Sequence, residues 1–319
     1  MRQVIDSMRY RCLSITLYVQ VMSNYTDLRG HEIFIRCLIS LEDGRLCSGS
    51  DDMMIKVWSV QQCYCEFTLK GHEGVILSLL ELHNSRLCSA SADDSMRIWN
   101  LSMGHCERVI TTGTIYCMVQ NNQGKVIVGE YDGSIRVWDI LAGKLEASVV
   151  GHYEDYEPCQ NENSVVENTV HSLLILNDGR LCSCSEDETI RVWNLATLSC
   201  EAIFEGHEAG VTCLIQLQDG RICSGSSDGL IKIWNLTTGN CDWTFIGNGA
   251  AFRCIIQLKD GRICSGSEDN LVQVWTLDSS RGVLAFEGHG DWISGLVQLQ
   301  DGRLCSSSWD GIIRIWDGF

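Results

Sequence analysis

Residues 206–235 read GHEAGVTCLIQLQDGRICSGSSDGLIKIWN, and this stretch decides the fold. Val211–Leu217 alternates only partly between apolar and polar side chains, the pattern of a strand buried on both faces. Asp219-Gly220 follows as a hairpin turn, in which glycine takes the positive φ that other residues resist. Ile222–Ser226 reads as a second strand and Leu230–Trp234 as a third. A fourth, Cys200–Phe204, leads into Gly206-His207.

The same unit recurs along the chain. Tryptophans stand at 58, 99, 138, 193, 234, 275 and 316, spaced by 41, 39, 55, 41, 41 and 41 residues. An aspartate precedes each by six positions: Asp52, Asp93, Asp132, Asp187, Asp228, Asp269 and Asp310. Gly-His pairs end at His31, His72, His152, His207 and His289, while the third unit has Thr-Gly-Thr and the sixth Gly247-Asn248. Four strands repeated seven times predict an all-β, seven-bladed propeller of four-stranded antiparallel blades. The chain ends at Phe319 just after a seventh third strand, so the N-terminal segment is expected to join the C-terminal blade and close the ring. Either Ser23–Arg29 or the alternating run Leu13–Val21 could do so. The expected organisation is an extension over 1–22 and a propeller over 23–319.

The order Gly-His, Asp-Gly, Ser-Gly-Ser, Asp and Trp-Asp/Asn over residues 24–319 resembles the WD40-repeat family of propellers. The resemblance implies a hydrogen-bonded brace inside each blade. In blade 5 it would use His207, Ser224 or Ser226, Asp228 and Trp234. Blades 3 and 6 lack the histidine and are expected to be less well braced.

Composition narrows the function. The 319 residues carry 24 Lys+Arg against 41 Asp+Glu, a net charge of −17, which argues against direct nucleic-acid binding. No apolar run is long enough for a membrane span, and no signal-peptide core is present. Six of the 18 cysteines repeat at one second-strand position (Cys47, Cys88, Cys182, Cys223, Cys264, Cys305). Four more repeat on the first strand (Cys37, Cys117, Cys213, Cys254). Equivalent positions fan around an axis and cannot converge on one ion, and neither Cys63/Cys65 nor Cys182/Cys184 has two further partners. These thiols read as core packing in a reducing cytoplasmic or nuclear setting, with no metal and no cofactor. The recurrent Ser, His and Asp superficially spell a catalytic triad, but the brace claims them, and no catalytic residue is expected.

Charge is partitioned by the repeat. Thirteen basic residues occupy two repeat-fixed positions, and twelve acids (the brace aspartates with Asp43, Asp178, Asp219, Asp260 and Asp301) nearly balance them. The acidity is therefore expected in loops and outer positions. An insert of 14 residues near 153–167 holds Glu154, Asp155, Glu157, Glu162 and Glu167 and no Lys or Arg. It reads either as a solvated loop or as an acidic arm that steers a basic partner.

The family resemblance also implies where partners bind. The channel mouth is lined five residues after each Gly-His histidine, giving Arg36, Leu77, Tyr116, His171, Thr212, Arg253 and Ser294. A second ring, just before each brace aspartate, reads Asp51, Ala92, Tyr131, Glu186, Ser227, Glu268 and Trp309. These positions vary most in an otherwise monotonous chain. With Trp292 they are expected to form a docking site for a protein or peptide with Lys/Arg. Trp309, Trp292 and Tyr131 would be anchors, with Glu186, Glu268 and Asp51 pairing the partner's bases. The expected function is a scaffold or adaptor in a larger assembly. A substrate-recognition module of a ubiquitin ligase is the alternative, and an enzyme would need a polar cluster in the channel.

Overall fold

A computed structural model of the chain describes residues 18–21, 24–83, 85–152, 168–277 and 284–317. The insert at 153–167 lies outside the described residues. All described elements of regular structure are strands, arranged in seven sheets. Six sheets have four strands and one has five. Blade 5 is typical: Val211–Gln216, Ile222–Ser226, Leu230–Trp234 and Cys241–Ile246 run from inside to outside, each antiparallel to the next. The innermost strands touch one another in a closed cycle, including the seventh (Ile293–Gln298) against the first (Ile35–Ser40).

Turn chemistry sets the hairpins. Gly220 has φ +89°, its N–H donates to Leu217 O at 2.8 Å, and Arg221 reaches back to the Asp219 carboxylate. Gly44, Gly179, Gly261 and Gly302 repeat the turn.

Seven hydrophobic clusters hold the ring, one at each blade boundary. Between blades 4 and 5, Cys182, Ile190, Val192 and Phe204 pack on Val211, Leu214, Ile222 and Trp234. Each repeat tryptophan packs into the boundary with the preceding blade. Burying such a side chain contributes roughly 2–3 kcal/mol.

The blades are also clasped on the face that carries the Asp-Gly turns. A glutamine ending an inner strand donates to its own turn and accepts a backbone N–H from the preceding blade. Gln257, for example, donates to Gly261 O at 3.0 Å and accepts Gln218 N–H at 2.8 Å. Gln120, Gln216 and Gln298 do the same, and Glu81 accepts from Glu42.

At the N-terminus, Tyr25–Arg29 lies antiparallel on Ile312–Trp316 as the outer strand of blade 7. Tyr18–Val21 runs parallel to Leu284–Glu287 as a fifth strand on blade 6. The two N-terminal stretches thus join different blades.

Candidate functional site

The brace fixes one face of the ring. In blade 5 the His207 ring sits 2.7 Å from Asp228 Oδ2 through Nδ1 and 2.8 Å from Ser224 Oγ through Nε2. Trp234 Nε1–H donates to the same Ser224 Oγ at 2.8 Å. A carboxylate only accepts and an indole only donates, so the network settles on Nδ1–H toward Asp228 and a serine hydroxyl donating to Nε2. Ser226 makes different contacts. Its Oγ accepts Asp228 N–H and donates to Ala209 O at 3.0 Å. The Asp228 carboxylate also accepts the backbone N–H groups of Glu208 and Leu230. One side chain thereby ties the loop after the histidine to the turn before the third strand. Blades 1, 2, 4 and 7 repeat the constellation.

The two exceptions differ from each other. In blade 6, Asn248 takes the histidine's place and donates to Asp269 at 2.5 Å, Gln273 adds a bond at 2.9 Å, and Trp275 keeps its serine, Ser265. The amide takes over the histidine's bond to the aspartate but makes none to Ser265, so the brace of blade 6 is partial. Blade 3 loses the network. Val128 replaces the serine, Thr112-Gly113-Thr114 stands in place of the Gly-His pair, and Trp138 Nε1 is buried without a partner. Glu130, 2% exposed, pairs instead with Arg136.

On this braced face the hairpin register brings the two variable rings together. Each first-ring residue lies beside the second-ring residue 15 positions on. Arg36 grips Asp51 with Nε and Nη2 at 2.6 and 2.9 Å. His171 Nε2 is 2.7 Å from Glu186, and Arg253 Nε is 2.7 Å from Glu268. The Glu186 carboxyl is held below its ordinary value, first by the His171 hydrogen bond. Tyr116 stacks on Tyr131 with centroids 6.1 Å apart and meets His171 edge-on. Asp51, Glu186 and Glu268 thus have partners within their own blades, a pairing the sequence reading missed.

An aromatic group on this face joins blades 7 and 1, with an arginine of blade 6 against it. Trp292 and Trp309 have centroids 4.3 Å apart, and Phe34 stacks on Trp309 at 4.9 Å. The guanidinium of Arg36 lies 4.6 Å over Trp309 and that of Arg253 lies 5.2 Å over Trp292. Cation–π contact and the ion pairs hold both arginines flat against the indoles. Ile33 and Phe34 are 46% and 38% exposed here and add apolar surface beside the indoles.

Below the mouth the inner strands present small residues, then a collar of partly buried aliphatics: Ile39, Leu80, Val119, Leu174, Ile215, Ile256 and Val297. No group of three or more His, Cys, Asp or Glu suited to a metal occurs among the described residues. The second-strand cysteines are buried between blades, and burial pushes the Cys182 thiol up to about 12. No helix among the described residues is long and apolar enough to cross a membrane.

The charge partition needs one correction. Glu66, Glu107, Glu146 and Glu201 occupy one outer-strand position and pair with the bases that follow the turns: Arg45 at 3.5 Å, Arg86 at 2.5 Å, Lys125 at 2.6 Å and Arg180 at 3.6 Å. These acids belong to the repeat as well, so the framework is itself acidic.

A closed ring of seven sheets, most of them braced, with chemistry concentrated where its loops vary, defines a propeller of the interaction-module class. The chain belongs to the WD40 family: the profile described as "WD domain, G-beta repeat" matches residues 22–59, 63–100, 103–139, 162–194, 198–235, 239–276 and 281–317. It is 32% identical to Cell division control protein 4 of Saccharomyces cerevisiae over 103 residues, 32% of this chain and 11% of that protein. It is 31% identical to WD repeat-containing protein pop2 of Schizosaccharomyces pombe over 93 residues, 29% of this chain and 11% of that protein. It is 29% identical to Type I inositol polyphosphate 5-phosphatase 13 of Arabidopsis thaliana over 110 residues, 33% of this chain and 9% of that protein. The chain spans about a tenth of the length of these curated relatives over the matched regions.

Proposed function

We propose that the chain is a non-catalytic protein-interaction scaffold that docks a protein or peptide partner on the braced face. The observation that carries this reading is the Phe34–Trp309–Trp292 stack, clamped by Arg36 and Arg253 and left partly exposed. Stacked aromatics with arginine at a rigid concave rim are the composition of interface hot spots. Trp309 and Trp292 anchor the partner, and Tyr131 supplies a second grip with Tyr116 and His171 across the mouth.

The partner's Lys/Arg character follows from acids further out. Asp51, Glu186 and Glu268 are bonded within their blades, so steering falls to the exposed Glu32, Glu73 and Glu208, together with the acidic composition of 153–167. Each of these three glutamates offers its backbone N–H to a brace aspartate, and none has a side-chain ion pair among the described residues. The aliphatic collar is the wrong lining for an active site, which supports docking over catalysis. Membership of a larger complex in the reducing cytoplasm or nucleus accords with the buried thiols. A substrate-recognition role in a ubiquitin ligase is the less supported form of the same idea, because both mouth arginines are already engaged by carboxylates.

The test uses the full chain in crosslinking affinity purification. Trp292→Ala with Trp309→Ala should remove most specific partners, while Tyr64→Ala, an exposed aromatic on the outer strand Tyr64–Leu69, should remove few. An unchanged partner set in the double variant would overturn the placement.

A further inference from the structure

We infer that the docking face carries a groove crossing the channel mouth from blade 2 to blade 5. Its occupant is an extended peptide segment with an apolar side chain at its centre and Lys or Arg toward each end. The inference rests on the docking face proposed above and adds the direction, conformation and chemistry of the bound segment.

The shape comes from the paired rings. Blades 6, 7 and 1 raise one wall, Arg253/Glu268, Trp309 and Arg36/Asp51, tied together by the indole stack. Blades 3 and 4 raise the other, Tyr116/Tyr131 and His171/Glu186. The two blades between the walls are low. Blade 2 offers only Leu77 and Ala92 at these positions, and blade 5 only Thr212 and Ser227. Thr212 does not rise into the mouth: it is 9% exposed, and its hydroxyl donates to Gly225 O at 3.0 Å. In a seven-bladed ring, blades 2 and 5 are separated by two blades on one side and three on the other, so the gaps stand nearly opposite. A chain entering over one and leaving over the other passes between the two aromatic walls.

Charge and depth then select the occupant. The loop at each gap carries an exposed glutamate one residue after the brace histidine, Glu73 at blade 2 and Glu208 at blade 5. Blades 3, 4, 6 and 7 have Thr114, Tyr153, Gly249 and Gly290 there, so of the blades with an acid only blade 1, through Glu32, lies in a wall. Acids at both ends favour bases at both ends of the segment. Beneath the mouth the inner strands carry small side chains such as Cys37, Ser78, Cys117 and Ser172 and then the partly buried aliphatics, an apolar lining that favours an apolar side chain at the centre of the segment.

A random dodecapeptide phage library selected on the immobilised full chain tests this. The selected peptides should be enriched in a central apolar residue flanked on both sides by Lys or Arg. As synthetic fluorescent peptides they should lose at least about tenfold in affinity to Ala92→Trp and to Ser227→Trp, each of which fills a gap. Glu73→Lys and Glu208→Lys, exposed side chains with no packing role, should weaken them by about threefold to tenfold each in low salt. Peptides that need Trp309 but ignore all four gap variants would overturn the groove and leave the docking face standing. Peptides indifferent to Trp309→Ala would overturn the docking face and the groove together. Enrichment of peptides without flanking bases, or of none above background, would overturn the assigned occupant.

Discussion

Blades 5 and 3 have the same four-stranded architecture and opposite internal chemistry. In blade 5 one serine oxygen receives Trp234 and meets His207, which in turn holds Asp228. In blade 3 all three supports are gone, Trp138 has an orphan donor, and Asp132 is 56% exposed. Both blades nonetheless contribute a complete hydrophobic boundary. The difference separates two roles that the repeat normally combines. Apolar packing makes a blade, and the brace pins the loops on its own face of the ring. Blade 3 keeps the first and has exchanged the second for an ion pair between buried Glu130 and partly exposed Arg136.

The strongest test substitutes the same aspartate in both blades. Asp228→Ala leaves His207 and two backbone N–H groups unsatisfied in a nearly buried site, and should cost about 3 kcal/mol. Asp132→Ala removes an exposed carboxylate that holds only the Ser134 N–H at 2.9 Å and a long contact to Arg136, and should cost no more than about 1 kcal/mol. Urea midpoints of the two variants against the parent chain measure the contrast. Equal losses would mean that the brace adds nothing beyond packing.

A subtler version uses the indole. Trp234→Phe and Trp138→Phe both shrink a buried ring, but only the first breaks a hydrogen bond, and the second removes a buried unpaired donor. Trp234→Phe should therefore be the more damaging by about 1 kcal/mol. Thermal melts of the pair read this difference directly, and a reversed order would place an acceptor near Trp138 Nε1.

Much of the ring was written in the sequence, because a repeat of 41 residues leaves few alternatives for seven identical Trp and Asp positions. The brace serine stayed ambiguous for a physical reason: Ser224 and Ser226 are two apart on one strand and both accept hydrogen bonds, from different donors. The pairing of the rings was missed although its signal was present. Arg36/Asp51, Tyr116/Tyr131, His171/Glu186 and Arg253/Glu268 all share an offset of 15, which a hairpin register converts into contact. Aligned at that offset, the two rings display their charge complementarity in the sequence alone. The outer-strand acids escaped because their bases lie about 21 residues away across two turns. The Phe34–Trp309 stack could not have been found that way, since it joins the first blade to the last.

The smallest effect separates the two blades by the sign of their response to pH. Hydrogen bonding to His207 helps hold the Asp228 carboxyl below its ordinary value despite burial, and Asp52, Asp187 and Asp310 behave alike. Their stabilisation is present above the unfolded-state value near 4 and is lost as pH falls through the folded one. Burial lowers His72 and His152, so their contribution is present above about 6.5 and also fades as pH falls. Glu130 runs the other way. Burial raises its carboxyl, Arg136 only partly opposes this, and Asp132 and Asp94 push it further up. Its contribution is complete below the ordinary value and is lost as pH rises through the folded one. Glu130→Gln removes that opposing slope. Measured from pH 4 to 7, the variant should therefore gain on the parent chain as pH rises, by less than about 1 kcal/mol in all. A variant that instead loses ground over this window would show that the Arg136 pair outweighs the cost of burying the Glu130 charge.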